Sequence, residues 1–174
     1  MTTALLVIDL QRGNFGLTDK PYAGDAVLSR SADLLVRARA RGIPIFHVRH
    51  DGGAGDPLER GTPGWDIDSA VAPQDREPII DKDRCSAFVG TDLHERLHSQ
   101  SIDRLVIAGM QTEYCIDTTC RAARDLGYAV TLVSDGHTTF DTPELSGAQI
   151  VAHHNLTLQR GGFVDLFEAA QIIF

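Results

Sequence analysis

The sequence is short of several things, and each shortage excludes a class of protein. Its 174 residues include only three cysteines, an odd number without metal-ligand spacing, so neither a disulfide scaffold nor a thiolate metal site is expected. No apolar run approaches the roughly 20 residues of a membrane span, and the run that starts at Ala4 stops at Asp9. Lysine and arginine number 16 against 24 acidic residues, for a formal net charge of -8. Scattered and outnumbered, these cations make no basic stripe, which argues against nucleic acid and anionic membranes as partners. The chain therefore reads as a soluble, cytoplasmic protein with reduced thiols. A chain of this length can bury about 70% of its unfolded surface, so residues 1–174 are expected to form one domain.

What is present alternates between two periods. Residues 4–8 form a short, wholly apolar run, the mark of a strand buried on both faces, and it ends at Asp9. Residues 25–41 carry Ala26, Val27, Leu34, Leu35 and Ala38 near helical period, with Gly42 as a stop. Further strands are expected at 43–48, 78–80, 102–108 and 128–133, with an edge strand at 158–164. Further helices are expected at 91–99, capped by Thr91, at 112–126, at 146–156, and in a short stretch before Ile172-Ile173-Phe174. The long segment 49–74, rich in Gly, Pro and Asp, reads as a lid or pocket wall. Strands alternating with helices predict a three-layer α/β/α fold, with a mostly parallel, Rossmann-like sheet of five to six strands and helices on both faces.

In such a sheet, ligands bind beyond the carboxyl ends of the strands. Asp9, Lys82 and Cys115 fall at those ends, on the first, third and fourth strands. Cys115 lies on the first turn of a helix, where the dipole and converging N–H groups favour thiolate. A carboxylate can take and return the thiol proton, and an ammonium can orient the pair. The backbone N–H groups of Cys115 and Gln111 are candidates for holding a tetrahedral oxyanion. Each residue taken alone has a plainer reading: a small buried thiol, a turn cap, a solvated charge. Cys120, five residues past Cys115, reads as a core thiol, and Cys85 as unreactive.

Several motifs in order resemble those of the isochorismatase-like cysteine hydrolases, which include nicotinamidases and related amidases. They are Val7-Ile8-Asp9-Leu10-Gln11, Lys82 before Ser86-Ala87-Phe88, Gly109-Met110-Gln111-Thr112-Glu113-Tyr114-Cys115, Arg121-Ala122-Ala123, and Asp135-Gly136-His137-Thr138-Thr139. The resemblance implies an Asp9–Lys82–Cys115 triad, a covalent thioester, a non-proline cis peptide at Met110-Gln111, and a homo-oligomer, dimer or tetramer. The metal-binding Asp-x-His pair of nicotinamidases is not reproduced, because Arg49-His50-Asp51 stands there. The loop with Pro57-Leu58 and Gly61-Thr62-Pro63-Gly64-Trp65 looks more like that of metal-free, streptothricin hydrolase-like members.

The expected activity is hydrolysis of the C–N bond of a small-molecule amide, with no cofactor and no metal. Gln11, Phe15, His50, Trp65, Glu113, Tyr114 and His137 are candidate substrate contacts. His47 and His50 are three apart on an extended segment and so face opposite ways, which argues against a shared metal. Two alternatives remain: vinyl ether hydrolysis of isochorismate driven by the aspartate alone, and a non-catalytic or redox-responsive thiol protein.

Overall fold

The computed structural model describes residues 2–16 and 18–174. Six strands form one sheet in the order β3-β2-β1-β4-β5-β6: β1 Thr3–Ile8, β2 Ile45–His50, β3 Ile79–Lys82, β4 Arg104–Met110, β5 Ala129–Thr138 and β6 Asp165–Phe167. Every neighbouring pair is parallel, as crossover connections through helices require. The helices are α1 Arg12–Phe15, α2 Gly24–Ala40, α3 Leu93–Ser99, α4 Asp117–Asp125 and α5 Gly147–Arg160.

Alternation along β1 builds the layers. Ala4, Leu6 and Ile8 pack with residues of α3, α4 and α5, among them Leu93, Leu97, Cys120, Ala123 and Leu158. Leu5 and Val7 face the other way, onto Val27, Leu34, Leu35 and Ala38 of α2 and onto Ala169 and Ile172 near the C-terminus. The expected three-layer architecture is thus present, with six strands and a wholly parallel sheet.

Strand order reverses between β1 and β4, the place where open parallel sheets bind ligands. Close approach of these two strands needs Gly109: its φ is +136°, and a β-carbon there would lie 2.0 Å from the Ile8 carbonyl oxygen.

Three boundaries differ from expectation. β5 runs on to Thr138 because it resumes pairing after an irregularity: Leu132 pairs with Ile107, and His137 with Gly109. Residues 158–160 belong to α5 and not to a strand, since Leu158 is fully buried on the helix face that carries Ile150 and Val151; the edge strand comes later, as β6. Thr91 donates to the Ala87 carbonyl, and α3 begins at Leu93. Ser146, by contrast, caps α5 in a reciprocal pairing with Gln149.

Candidate active site

Each of the three expected residues is delivered by the end of a strand. Beyond β1, Asp9 turns the chain with a left-handed φ of 53°, a conformation that aspartate tolerates better than most residues. Its N–H donates to Val48 at 2.9 Å, and its carbonyl accepts from the Gln11 N–H at 2.8 Å and from Asn14 Nδ2 at 3.0 Å. Beyond β4 the Met110–Gln111 peptide is cis, and Cys115 sits in a π-helical turn, Thr112–Ile116, that leads into α4. Lys82 ends the edge strand β3 in register with His50, the last residue of β2. Its long stem reaches back across β2 toward β1.

These side chains meet. The Lys82 ammonium donates to Asp9 Oδ2 at 2.7 Å, to Cys115 Sγ at 3.1 Å and to His50 Nδ1 at 3.1 Å, which uses all three of its hydrogens. Asp9 and Lys82 are each 2% exposed and Cys115 is 8% exposed. A carboxylate oxygen of Asp9, a ring nitrogen of His50 and Sγ of Cys115 lie within 4.8 Å of one another. Asp9 Oδ1 is buried and has no hydrogen-bond partner among the described residues. Those three donor atoms could in other company hold a soft cation, but the ammonium already occupies their centre.

The electrostatics reverse one expectation. Burial, and then the charge of Asp9, push the Cys115 thiol well up from its ordinary range, and the nearby ammonium offsets this only in part. The resting group is therefore a thiol beside a carboxylate and not a thiolate: the helix terminus is outweighed by desolvation and by Asp9. Burial would lower the Lys82 ammonium, yet the charges of Asp9 and Cys115 and their hydrogen bonds hold it above its usual value. Burial, followed by the charge of Lys82, lowers His50, which keeps its imidazole neutral.

A cavity of about 280 Å³ opens over the sulfur, lined in part by Asp9, His50, Gln111, Tyr114 and Cys115. Tyr114 is 54% exposed at its mouth. The other expected contacts lie outside its wall. Gln11 is wholly buried, and its amide is spent on the His50 N–H and carbonyl and on the Trp65 carbonyl. Phe15 packs in the core. The Trp65 ring is a platform for the guanidinium of Arg49, 3.4 Å from its centre, and for that of Arg60 at 5.1 Å. His137 is buried between the Thr112 hydroxyl and Asn155 Oδ1, each 2.9 Å away, and burial lowers it to about 4. Met110 is a core side chain, and Glu113 does not line the cavity.

Asn14, Asp56, Cys85 and Phe140 complete the wall with Pro57 and Leu58. Only the Pro57-Leu58 loop was singled out in the sequence, and Cys85, read there as a bystander, is exposed within the same cavity as Cys115. Cys120 is fully buried, as expected. His47 points away from His50, onto Glu77 at 3.0 Å.

An isochorismatase-domain model matches residues 3–157. The chain is 34% identical over 140 residues to streptothricin hydrolase of Streptomyces noursei; the match covers 80% of this chain and 51% of that protein, so the chain spans about half the length of this relative. It is 35% identical over 161 residues to the uncharacterized isochorismatase family protein YddQ of Bacillus subtilis (strain 168), covering 88% of this chain and 87% of that one. A solved isochorismatase from Pseudomonas putida KT2440 has a TM-score of 0.91 at 30% identity, covering 99% of this chain and 90% of the other. Among the described residues no helix is long and apolar enough to cross a membrane.

Proposed function

The chain belongs to the isochorismatase family of hydrolases, and we propose that it is a cysteine amidase that cleaves the C–N bond of a small molecule through a thioester on Cys115. The observation that carries this reading is the division of labour within one carboxylate. Asp9 Oδ2 is held by Lys82 at 2.7 Å, while Oδ1 is buried and unpartnered in the pocket that holds the thiol. A buried acceptor that no other protein donor occupies, beside the thiol, is what a protonated sulfur needs for activation.

In this mechanism Asp9 takes the Cys115 proton as Sγ bonds to the amide carbon. The oxyanion is held by the backbone N–H groups of Gln111 and Cys115. Asp9 then gives its proton to the departing nitrogen, the C–N bond breaks, and a thioester remains. Water, deprotonated by Asp9, attacks the thioester; the acid leaves and the sulfur regains the proton. Lys82 stays charged throughout and keeps the carboxylate oriented. A relative named as a streptothricin hydrolase supports a hydrolytic role.

The test is a panel of small carboxamides and lactams assayed for released ammonia or amine, with Cys115→Ala as control. Turnover is expected in the wild type, together with an acyl adduct on the Cys115 peptide after rapid quenching, and loss of at least about a thousandfold in the variant. Turnover retained by Cys115→Ala would instead favour the acid-catalysed vinyl ether reading, and no turnover on any amide would remove the amidase reading.

A further inference from the structure

The cavity over Cys115 carries a charge that the mechanism does not use. Among the described residues its wall contains two carboxylates, Asp9 and Asp56, and no lysine or arginine. Asp9 is neutralised by Lys82, and the thiol and the imidazole beside them are uncharged forms at neutral pH. Asp56 is left as the one uncompensated charge of the wall, and among the described residues it makes no ion pair. The nearby cations are engaged elsewhere: Arg49 of β2 binds Asp81 at 2.8 Å, Arg60 of the loop binds Asp51 at 3.1 Å, and both stack on Trp65.

The position of Asp56 is built rather than incidental. Its Oδ1 accepts from the Leu58 N–H at 2.7 Å, and its own N–H donates to the Gly53 carbonyl at 3.2 Å. The carboxylate lies directly over Gly52, where a β-carbon would come 2.1 Å from Oδ1, so any larger residue at 52 would drive it out of place. From there its charge acts through space on His50, favouring the protonated imidazole, which sets it within electrostatic reach of the reacting centre.

Resting on the amidase reading, we propose that Asp56 makes this cavity selective for amides that carry an ammonium or guanidinium group near the scissile bond, and that amides bearing a carboxylate are rejected. The cation of the substrate is then the missing partner of Asp56 while the carbonyl sits against Cys115. Pro57, Leu58 and Phe140 supply apolar wall for the carbon skeleton between them. An anionic substrate would meet Asp56 with no cation on the wall to offset it.

Two measurements on the full chain test this. The first compares kcat/KM for β-alaninamide, 3-hydroxypropanamide and succinamate, which differ chiefly in charge. The cationic amide is expected to lead and the anionic one to trail. In Asp56→Asn, a solvent-exposed position, the cationic-to-anionic ratio should fall about two- to fivefold, the size of one charge interaction in contact with solvent, whereas Asp165→Asn on β6, exposed at the sheet edge, should leave the ratio as it is. The second needs no turnover. Methanethiosulfonates bearing ammonium, no charge or sulfonate are reacted with the protein, and modification of the Cys115 peptide is followed by mass, normalised to 2-mercaptoethanol. The same ordering is expected, weakened in Asp56→Asn and by added salt. Preference for the anionic member, or ratios unmoved by Asp56→Asn, would overturn the proposal. If no amide is hydrolysed but Cys115 labelling still follows charge, the amidase reading fails and the selectivity of the cavity stands. Hydrolysis without charge preference has the opposite meaning.

Discussion

The Lys82 ammonium donates to His50 Nδ1 across 3.1 Å, and that contact fixes the tautomer of the imidazole. An ammonium has hydrogens to give and no lone pair, so Nδ1 must accept and the single proton of the neutral ring must sit on Nε2. Burial and the charge of Lys82 both lower the pKa of His50. Nitrogen-15 spectra of the imidazole should therefore show a neutral ring protonated on Nε2 at pH 7, with a titration midpoint below the ordinary value of about 6.5. Lys82→Met should release this constraint, raising the midpoint and mixing the tautomers. An imidazolium signal for His50 at pH 7 in the wild type would contradict the arrangement.

Asp9 and Cys115 yield a prediction in which two readouts move in opposite directions. Burial and the charge of Asp9 raise the thiol, and Lys82 lowers it. Asp9→Asn removes a raising influence and leaves the ammonium in place, so the thiolate fraction at neutral pH should increase. Alkylation of Cys115 by iodoacetamide should accelerate in Asp9→Asn, by about tenfold or more at pH 7.5, because the thiolate is the reactive form. Amide turnover should fall by at least about a hundredfold in the same variant, because the proton acceptor is gone. A variant slowed in both would show that Asp9 promotes rather than opposes thiolate formation.

Of the three thiols, exposure and burial set the order of labelling. Cys85 is exposed, Cys115 is buried beneath the cavity and Cys120 is fully buried. With limiting iodoacetamide at pH 7.5, peptide mapping should find Cys85 modified first and Cys115 more slowly. Cys120 should react only once denaturant opens the core.

Acid stability should depend on Glu77, which joins three parts of the fold by binding Arg39 on α2 at 2.7 Å and His47 on β2 at 3.0 Å. Burial would raise its carboxyl, but the hydrogen bonds from Arg39, the Gln74 N–H and His47 hold it down at about 2. A folded pKa below the unfolded one gives stability that is complete above the unfolded value and is lost as pH falls from there toward the folded value. The window is thus about pH 4.5 down to about 2, and the stability lost across it should be of order 2 kcal/mol, with partial solvent screening allowed for. His47, lowered by burial, adds a loss of the same sign that begins near pH 6.5. Urea midpoints measured from pH 7 to 3 should fall steeply in the wild type and more gently in Glu77→Gln. Equal slopes would refute the assignment.

The sheet and the meeting of Asp9, Lys82 and Cys115 were legible because each of these residues closely follows an apolar run, and in a parallel sheet the ends of such runs lie on one edge. Long-range charge was not legible. The helix start beside Cys115 is visible locally, whereas the burial and the Asp9 carboxylate that outweigh it come together only in three dimensions. Ser134-Asp135-Gly136 has the composition of a turn, and only pairing with β4 shows that the strand resumes beyond it. Asn14, Asp56, Cys85 and Phe140 were hidden for another reason. They come from four separate segments, the helical turn α1 after β1, the loop 51–60, the turn after β3 and the chain just past β5, and only the folded chain brings these to one cavity wall.

Gln11 shows how a residue in the right motif can serve the site from behind it. Its side-chain oxygen accepts from the His50 N–H at 2.8 Å, and its Nε2 donates to the carbonyls of His50 and Trp65, each at 2.9 Å. The side chain thereby ties the end of β2 to the long loop, wholly buried and with both of its N–H donors engaged. Gln11→Met fills similar space but strands those backbone groups, which should cost about 1–3 kcal/mol in urea unfolding. Gln11→Glu keeps the acceptor and sets a buried carboxylate against two carbonyl oxygens, so at pH 7 it should be the less stable of the two variants. Such a glutamate has its folded pKa raised, because only the protonated form can donate. Its stability relative to wild type at the same pH should therefore improve as pH falls from 7 to 5, while that of Gln11→Met relative to wild type stays level. If Gln11 instead contacted substrate, Gln11→Met would raise KM with little change in urea midpoint, and the pH-dependent gap between the variants would be absent.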